Sequence, residues 1–223
     1  MNIALFGGTF DPIHAGHLRA AKAAARKFRL ERILFVPSGN PPHKHRDQLT
    51  PFHHRFAMVA LACAGDARFV PSLLEAPRPY GRPHFSIGTV RAVKRSLGPH
   101  DHLFFLLGAD AFLDLTHWKE YRRLFQTVNF IVVSRPGFSS HEIWRTVPRD
   151  LLRTSPGTAL LEEIRMKRTT LHVLRGVAVP IASRDIREAM RAGRRVTGLV
   201  PPLVEQYIVK EGLYRPASPG PRG

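Results

Sequence analysis

The chain has 223 residues, of which 43% are hydrophobic, with 34 Lys and Arg against 17 Asp and Glu for a formal charge of +17, and a single cysteine, Cys63. That length and apolar content suit one α/β domain and exclude a wholly disordered chain. One cysteine excludes an internal disulfide framework and a cysteine-built zinc site, and fits a cytoplasmic protein. The charge points to a polyanionic partner, whether nucleic acid, an acidic membrane or a phosphorylated small molecule.

Residues 2–6 are apolar and run into Gly7-Gly8, the pattern of a buried strand entering a tight loop; they lack the basic start of a signal peptide. Residues 14–29, rich in Ala, Arg and Lys, predict a helix. Residues 32–36 predict a second strand, stopped by Pro37, and 39–46 (GNPPHKHR) a loop. Residues 51–64 carry Phe52, Phe56, Val59, Ala60 and Cys63 at helical spacing behind Pro51, which suits a first turn. Residues 69–74 predict a weak strand, 86–97 a helix, 103–107 a central strand and 128–134 another strand. Within 138–170 the one readable piece is 160–166, expected as helix. Residues 171–174 predict a last strand, 183–192 and 201–211 closing helices, and 216–223 a frayed tail after a single domain over 1–215. No apolar stretch is long enough to span a bilayer.

Strands that are apolar throughout and alternate with helices predict a doubly wound, Rossmann-like α/β fold with a parallel sheet. Ligands in such folds sit at the carboxyl ends of the strands. Gly7, Pro37, Gly108 and Arg135 all follow strands, so their loops should share one edge.

The densest chemistry lies in residues 7–18, GGTFDPIHAGHL. Glycines let backbone approach a phosphate, and a helix N-terminus offers unpaired N–H groups. His14 and His17, one turn apart, can donate to the same phosphoryl oxygens. The string is neither the dinucleotide fingerprint nor a Walker loop. A metal on His14 and His17 lacks a well-placed third ligand. Asn40, His43, Lys44, His45 and Arg46 make a donor-rich loop for phosphates, or a solvated one. Asp110 can read ribose hydroxyls or cap a helix starting at Ala111. Trp118 can stack on a flat ring or fill the core. Ser183 can cap a helix or bind phosphate; Arg187, one turn on, reaches the same anion, and Arg184 adds to that clamp or is surface charge.

The H-x-G-H string resembles the signature of the nucleotidylyltransferase superfamily. Five blocks in order are similar to the bacterial nicotinate-nucleotide adenylyltransferases: GGTFDPIHAGHL, VPSGNPPHK at 36–44, Gly108-Ala109-Asp110 with Trp118, IASRDIR at 181–187, and PPLVEQYIVKEGLY at 201–214. Residues 84–89 (HFSIGT) depart from that family's usual Tyr-Thr-x-Asp-Thr, and Ala182 and Arg184 depart from its closing block.

The resemblance implies a nucleotidyltransferase-type fold and AMP transfer from ATP to nicotinic acid mononucleotide, giving deamido-NAD and pyrophosphate, with Mg²⁺ bound on the ATP. It implies catalytic roles for His14, His17, Lys44 and Arg187. It implies ATP contacts at Gly7, Gly8, Thr9, Phe10, His43, Gly108, Asp110, Ile181 and Ser183. Asn40, Ser86, Trp118 and Lys119 are implied to hold the mononucleotide. Nicotinamide mononucleotide and phosphopantetheine are the alternative acceptors. A basic nucleic-acid binder is a reading of a different class, disfavoured because the bases form no run and no known reading module. No nucleic-acid or membrane partner is expected; a homo-oligomer is left open.

Overall fold

The computed structural model describes residues 1–40, 49–78, 82–134, 140–153, 162–177 and 181–215. Among these the strands are β1 (Asn2–Gly8), β2 (Arg32–Pro37), β3 (Phe69–Pro71), β4 (His102–Gly108), β5 (Asn129–Val133), β6 (Glu163–Arg165) and β7 (Thr170–Leu174). They form one seven-stranded sheet in the order β3-β2-β1-β4-β5-β7-β6. Every pairing is parallel except the edge pair β6–β7. The central strands are apolar throughout because both faces are covered: Ala4 to Phe6 and Leu103 to Leu107 are buried without alternation.

The helices are α1 (Ala15–Lys27), α2 (Phe52–Cys63), α3 (Ser86–Arg95), α4 (Ala109–Leu113), α5 (Tyr121–Thr127), α6 (Ser140–Thr146), α7 (Ser183–Arg191) and α8 (Pro202–Lys210). α1, α2, α7 and α8 bury Ala21, Ala24, Met58, Ile186 and Ile208 against one face of the sheet. The alanine stripe of α1 lets that helix lie close to the strands. α3 to α6 bury Val90, Phe112, Phe125 and Ile143 against the other face. Phe112, Phe125 and Phe130 meet there with ring centroids 5.1 to 5.9 Å apart; truncating any of them to Ala would cost ~3–5 kcal/mol.

The chain walks outward from β1 through β2 to β3, and then α3 returns it to β4 on the other side of β1. Strand order therefore reverses between β1 and β4, which opens a crevice at their carboxyl ends. Gly8 pairs with Pro37, and Gly108 with Val133, so the loops after β1, β2 and β4 leave from one edge, while Arg135 lies outside the described residues.

Four expectations change. Residues 163–165, expected within a helix, form β6: Ile164 is buried while Glu163 and Arg165 are exposed, a period of two that suits an edge strand folded back on β7. β3 ends at Pro71, short of the expected Leu74; a proline is tolerated on this edge strand because the bond to β2 comes from the next residue, the Ser72 N–H donating to the Phe35 carbonyl at 2.9 Å. The core stripe of α2 is Arg55, Met58, Val59 and Ala62, with Cys63 beside it, so Phe52 and Phe56 lie on a half-buried flank. Neither Asp110 nor Ser183 is an N-cap: those of α4 and α7 are Gly108 and Ala182, with Asp110 in the first turn of α4 and Ser183 the first residue of α7. The expected tail at 216–223 lies outside the described residues. Among those residues no helix is long and apolar enough to cross a membrane.

Candidate active site

β1 ends in the Gly7-Gly8 turn, where the Ser38 N–H donates to the Gly8 carbonyl at 2.9 Å and joins the loops after β1 and β2. Phe10 then takes a left-handed backbone, φ 50°. A bulky side chain there costs ~1–3 kcal/mol unless its surroundings hold it. Here the ring is buried at 5.6 Å from Phe6, 5.9 Å from Phe35 and 5.0 Å from the His17 ring. The chain enters α1 through His14, the N-cap, in extended conformation.

The two histidines are stacked, with ring centroids 3.7 Å apart and planes 25° from parallel; His14 is buried and His17 half-buried. The His14 backbone N–H donates to His17 Nδ1 at 3.2 Å. With Nδ1 accepting, a neutral His17 carries its proton on Nε2, which is therefore a donor. No acidic residue lies in the first turn of α1, so the positive end of the helix dipole is not neutralised there. Such an arrangement can donate hydrogen bonds to phosphoryl oxygens.

The loop before α1 is fixed from below by a buried polar network. Arg55 of α2, 2% exposed, donates from Nε to the Thr50 carbonyl at 2.8 Å and from Nη1 to the carbonyls of Thr9 and Ser38 at 2.8 and 2.9 Å. Burial presses its pKa down, and the nearby Asp11 charge opposes that. Asp11 is 1% exposed. Its carboxylate accepts from Tyr214 Oη at 2.6 Å and from the Thr50 N–H at 3.2 Å. Its backbone carbonyl accepts from Arg187 Nη1 at 2.6 Å, and Ser183 Oγ donates to the Pro12 carbonyl at 3.0 Å. Desolvation, followed by the Asp11 charge, pushes the Tyr214 pKa well up, so the phenol stays a donor.

Across the turn lies a cleft of about 540 Å³ lined by Gly7, Gly8 and Thr9, by Asn40, Glu75, Ser86 and Thr89, and by Phe105, Trp118 and Lys119. Its size suits a nucleotide-sized ligand. Trp118 is half-buried, with its ring 6.1 Å from Phe105. Asp114 accepts from Trp118 Nε1 at 3.3 Å and pairs with His117 Nδ1 at 2.9 Å, which sets the indole plane. Lys119 Nζ sits 4.4 Å above the Phe85 ring. Ser86 is the first residue of α3.

The structure thus brings Gly7, Gly8, Thr9, Asn40, Ser86, Trp118 and Lys119 into one cleft, and sets His14, His17, Ser183 and Arg187 around the start of α1. Gly108 and Asp110 are exposed where β4 gives way to α4, and Ile181 packs on the core under α7. Arg184 is 76% exposed and faces Asp185 and Glu188 of its own helix, the surface-charge alternative. His43 and Lys44, with His45 and Arg46, lie outside the described residues. Cys63 is buried and its pKa pushed up to about 12, which excludes it as a thiolate nucleophile. Arg55, Asp114 and Glu75 were missed. A signal for Arg55 was present: it opens the i, i+3, i+4, i+7 stripe 55, 58, 59, 62, where a charge has to find buried partners.

The cytidylyltransferase-like family model matches residues 5–189. A probable nicotinate-nucleotide adenylyltransferase of Pelobacter propionicus is 40% identical over 217 residues, covering 96% of this chain and 98% of that one. One of Thermus thermophilus is 41% identical over 215 residues, covering 96% and 100%. The chain belongs to the cytidylyltransferase-like family, in its nicotinate-nucleotide adenylyltransferase branch. The fold agrees with this membership. A Plasmodium falciparum nicotinic acid mononucleotide adenylyltransferase complexed with NaAD superposes with a TM-score of 0.71 at 20% identity, covering 96% of this chain and 97% of that one. The same enzyme complexed with APC gives 0.70 at 19%.

Proposed function

We propose that the protein transfers AMP from ATP to nicotinic acid mononucleotide, releasing pyrophosphate and forming deamido-NAD. The observation that carries this reading is the juxtaposition, across Gly7-Gly8-Thr9, of a histidine-bearing helix start and a cleft walled by an oriented tryptophan. One end suits phosphates and the other a flat ring, in a chain that matches nicotinate-nucleotide adenylyltransferases along nearly its whole length.

An oxygen of the mononucleotide phosphate attacks the α-phosphorus of ATP in line. The new P–O bond forms as the bond from the α-phosphorus to the bridging oxygen breaks, and that electron pair leaves with pyrophosphate. The attacking oxygen is already anionic at pH 7, so no general base is needed; the obstacles are repulsion between anions and alignment. His17 Nε2–H, with His14 stacked beneath it, donates to the transferring phosphoryl group, and the α1 N-terminus adds its dipole. Backbone at Gly8, Thr9 and Phe10 lets the phosphates approach. Arg187 holds the loop at Asp11 with one amino group and offers the other to the triphosphate, joined by Lys44 and His43. Ser183, Ile181, Gly108 and Asp110 flank the ATP side. Asn40, Ser86 and Lys119 hold the mononucleotide while Trp118 stacks on its ring.

Among the described residues no three His, Cys, Asp or Glu side chains are grouped to hold a metal ion. Mg²⁺ would arrive on ATP, held by phosphate and water ligands. When bound, Mg²⁺ neutralises charge on the leaving phosphates. Residues 1–215 are read as one folding unit, supported by the Tyr214–Asp11 bond, and the enzyme as cytoplasmic.

The test is pyrophosphate release with ATP, Mg²⁺ and each acceptor. Nicotinic acid mononucleotide should exceed nicotinamide mononucleotide at least tenfold in kcat/KM, with no turnover of phosphopantetheine. Equal or reversed preference would overturn the assignment of the acceptor.

A further inference from the structure

Glu75 is a charged side chain of the cleft wall with no role in the chemistry above. Glu75 lies in the turn after β3, and its backbone is clamped on two sides. The Ala76 N–H donates to the Leu73 carbonyl at 2.9 Å. Gly39, after β2, comes so near that a Cβ on it would stand 2.1 Å from the Glu75 carbonyl oxygen. The Glu75 side chain is half-buried in the cleft wall. Its Oε1 accepts from Thr89 Oγ1 of α3 at 2.7 Å. His84 and Arg78 act on the carboxylate only through space, and burial pushes its pKa up. A carboxylate so desolvated gains from further hydroxyl or N–H donors. The other acid in the lining, Asp114, is already engaged by Trp118 and His117.

The acceptor mononucleotide brings two anions, its phosphate and its ring carboxylate, and one neutral group with donors, a ribose with vicinal hydroxyls. A carboxylate repels both anions and accepts from both hydroxyls. With the phosphate at the start of α1 and the ring on Trp118, the ribose spans the interval between them. We propose that the Glu75 carboxylate binds the ribose hydroxyls of the acceptor mononucleotide, held in place by Thr89 and by the close approach of Gly39. This rests on the acceptor proposed above.

The experiment compares the ribo- and 2′-deoxyribo- forms of nicotinic acid mononucleotide, by pyrophosphate release, in the wild type and in Glu75→Gln and Glu75→Ala. The wild type should prefer the ribo acceptor at least tenfold in kcat/KM. Glu75→Gln should narrow that preference, and Glu75→Ala should reduce it below threefold, while KM for ATP stays unchanged in both. A merely structural Glu75 would lower activity on both acceptors alike and leave the ratio intact. A ratio retained in Glu75→Ala, or a wild type that ignores the 2′-hydroxyl, overturns the proposal. Should Glu75→Ala fail to fold, Glu75→Asp, which withdraws the carboxylate by one methylene, gives the same readout. A wild type that releases no pyrophosphate with the ribo acceptor overturns the acceptor assignment itself, and this inference with it.

Discussion

On one side of the Gly7-Gly8-Thr9 turn, the loop before α1 is fixed by buried hydrogen bonds from α2, α7 and Tyr214, three elements far away in sequence. On the other side, the cleft is shaped by ring packing and by short-range bonds such as Asp114 to Trp118, four residues apart. In the proposed reaction the first side places oxygens against a phosphorus, where small displacements are costly to the rate. The second has to recognise a shape, which tolerates local change. Substitutions in the buried network of the first side should therefore couple stability to turnover. Those on the second should alter acceptor binding and little else.

The sharpest way to break this contrast is at Arg55. Arg55→Met removes the donors to Thr9, Ser38 and Thr50 and leaves Asp11 without its buried counter-charge. We expect a loss of ~3 kcal/mol in urea unfolding, together with loss of turnover. A loss under about 1 kcal/mol, at the scale of an exposed pair, would show the network to be dispensable. His17→Ala should separate the two quantities on the same side. It removes a phosphate donor from a half-buried position, so kcat should fall by roughly 10²–10³-fold while the unfolding midpoint moves little. Near wild-type turnover would remove His17 from the mechanism. On the cleft side, Trp118→Ala should raise KM for the mononucleotide by roughly tenfold, as loss of a stacking platform does, with KM for ATP and the melting temperature nearly unchanged. A matching rise in the KM for ATP would mean that the two sides are not separable.

Much of the fold was legible because the central strands are apolar without interruption and are bounded by Gly and Pro. Leu103 to Leu107 and Phe130 to Val133 can be little else than buried strands. The edge was harder. β6 has three residues, and its alternation is too short to stand out from a helical window. The first loop was legible as a string, but its support was not. That Tyr214 bonds Asp11, or that Arg55 reaches under Thr9, depends on how helices from both ends of the chain close on one face of the sheet. The stripe of α2 showed the same limit: Phe52 and Phe56 share helical spacing with Val59 and Cys63, yet the buried position went to an arginine whose partners lie on other segments. Glu75 carried no motif of its own; only the folded cleft distinguishes it from a solvated loop acid.

The bond from Tyr214 to Asp11 joins residues 203 positions apart, and this has a bearing on biosynthesis. A ribosome makes the loop before α1 long before it reaches Tyr214, so one of the loop's buried struts arrives only after the strands of the sheet have been made. A nascent chain can lay down β1 to β5 and cover both faces with helices while Asp11 still lacks its phenolic partner. The support of the proposed phosphate site is thus complete only once α7 and Tyr214 have closed on the loop, so that substrate-binding competence should report on that closure rather than on the sheet alone.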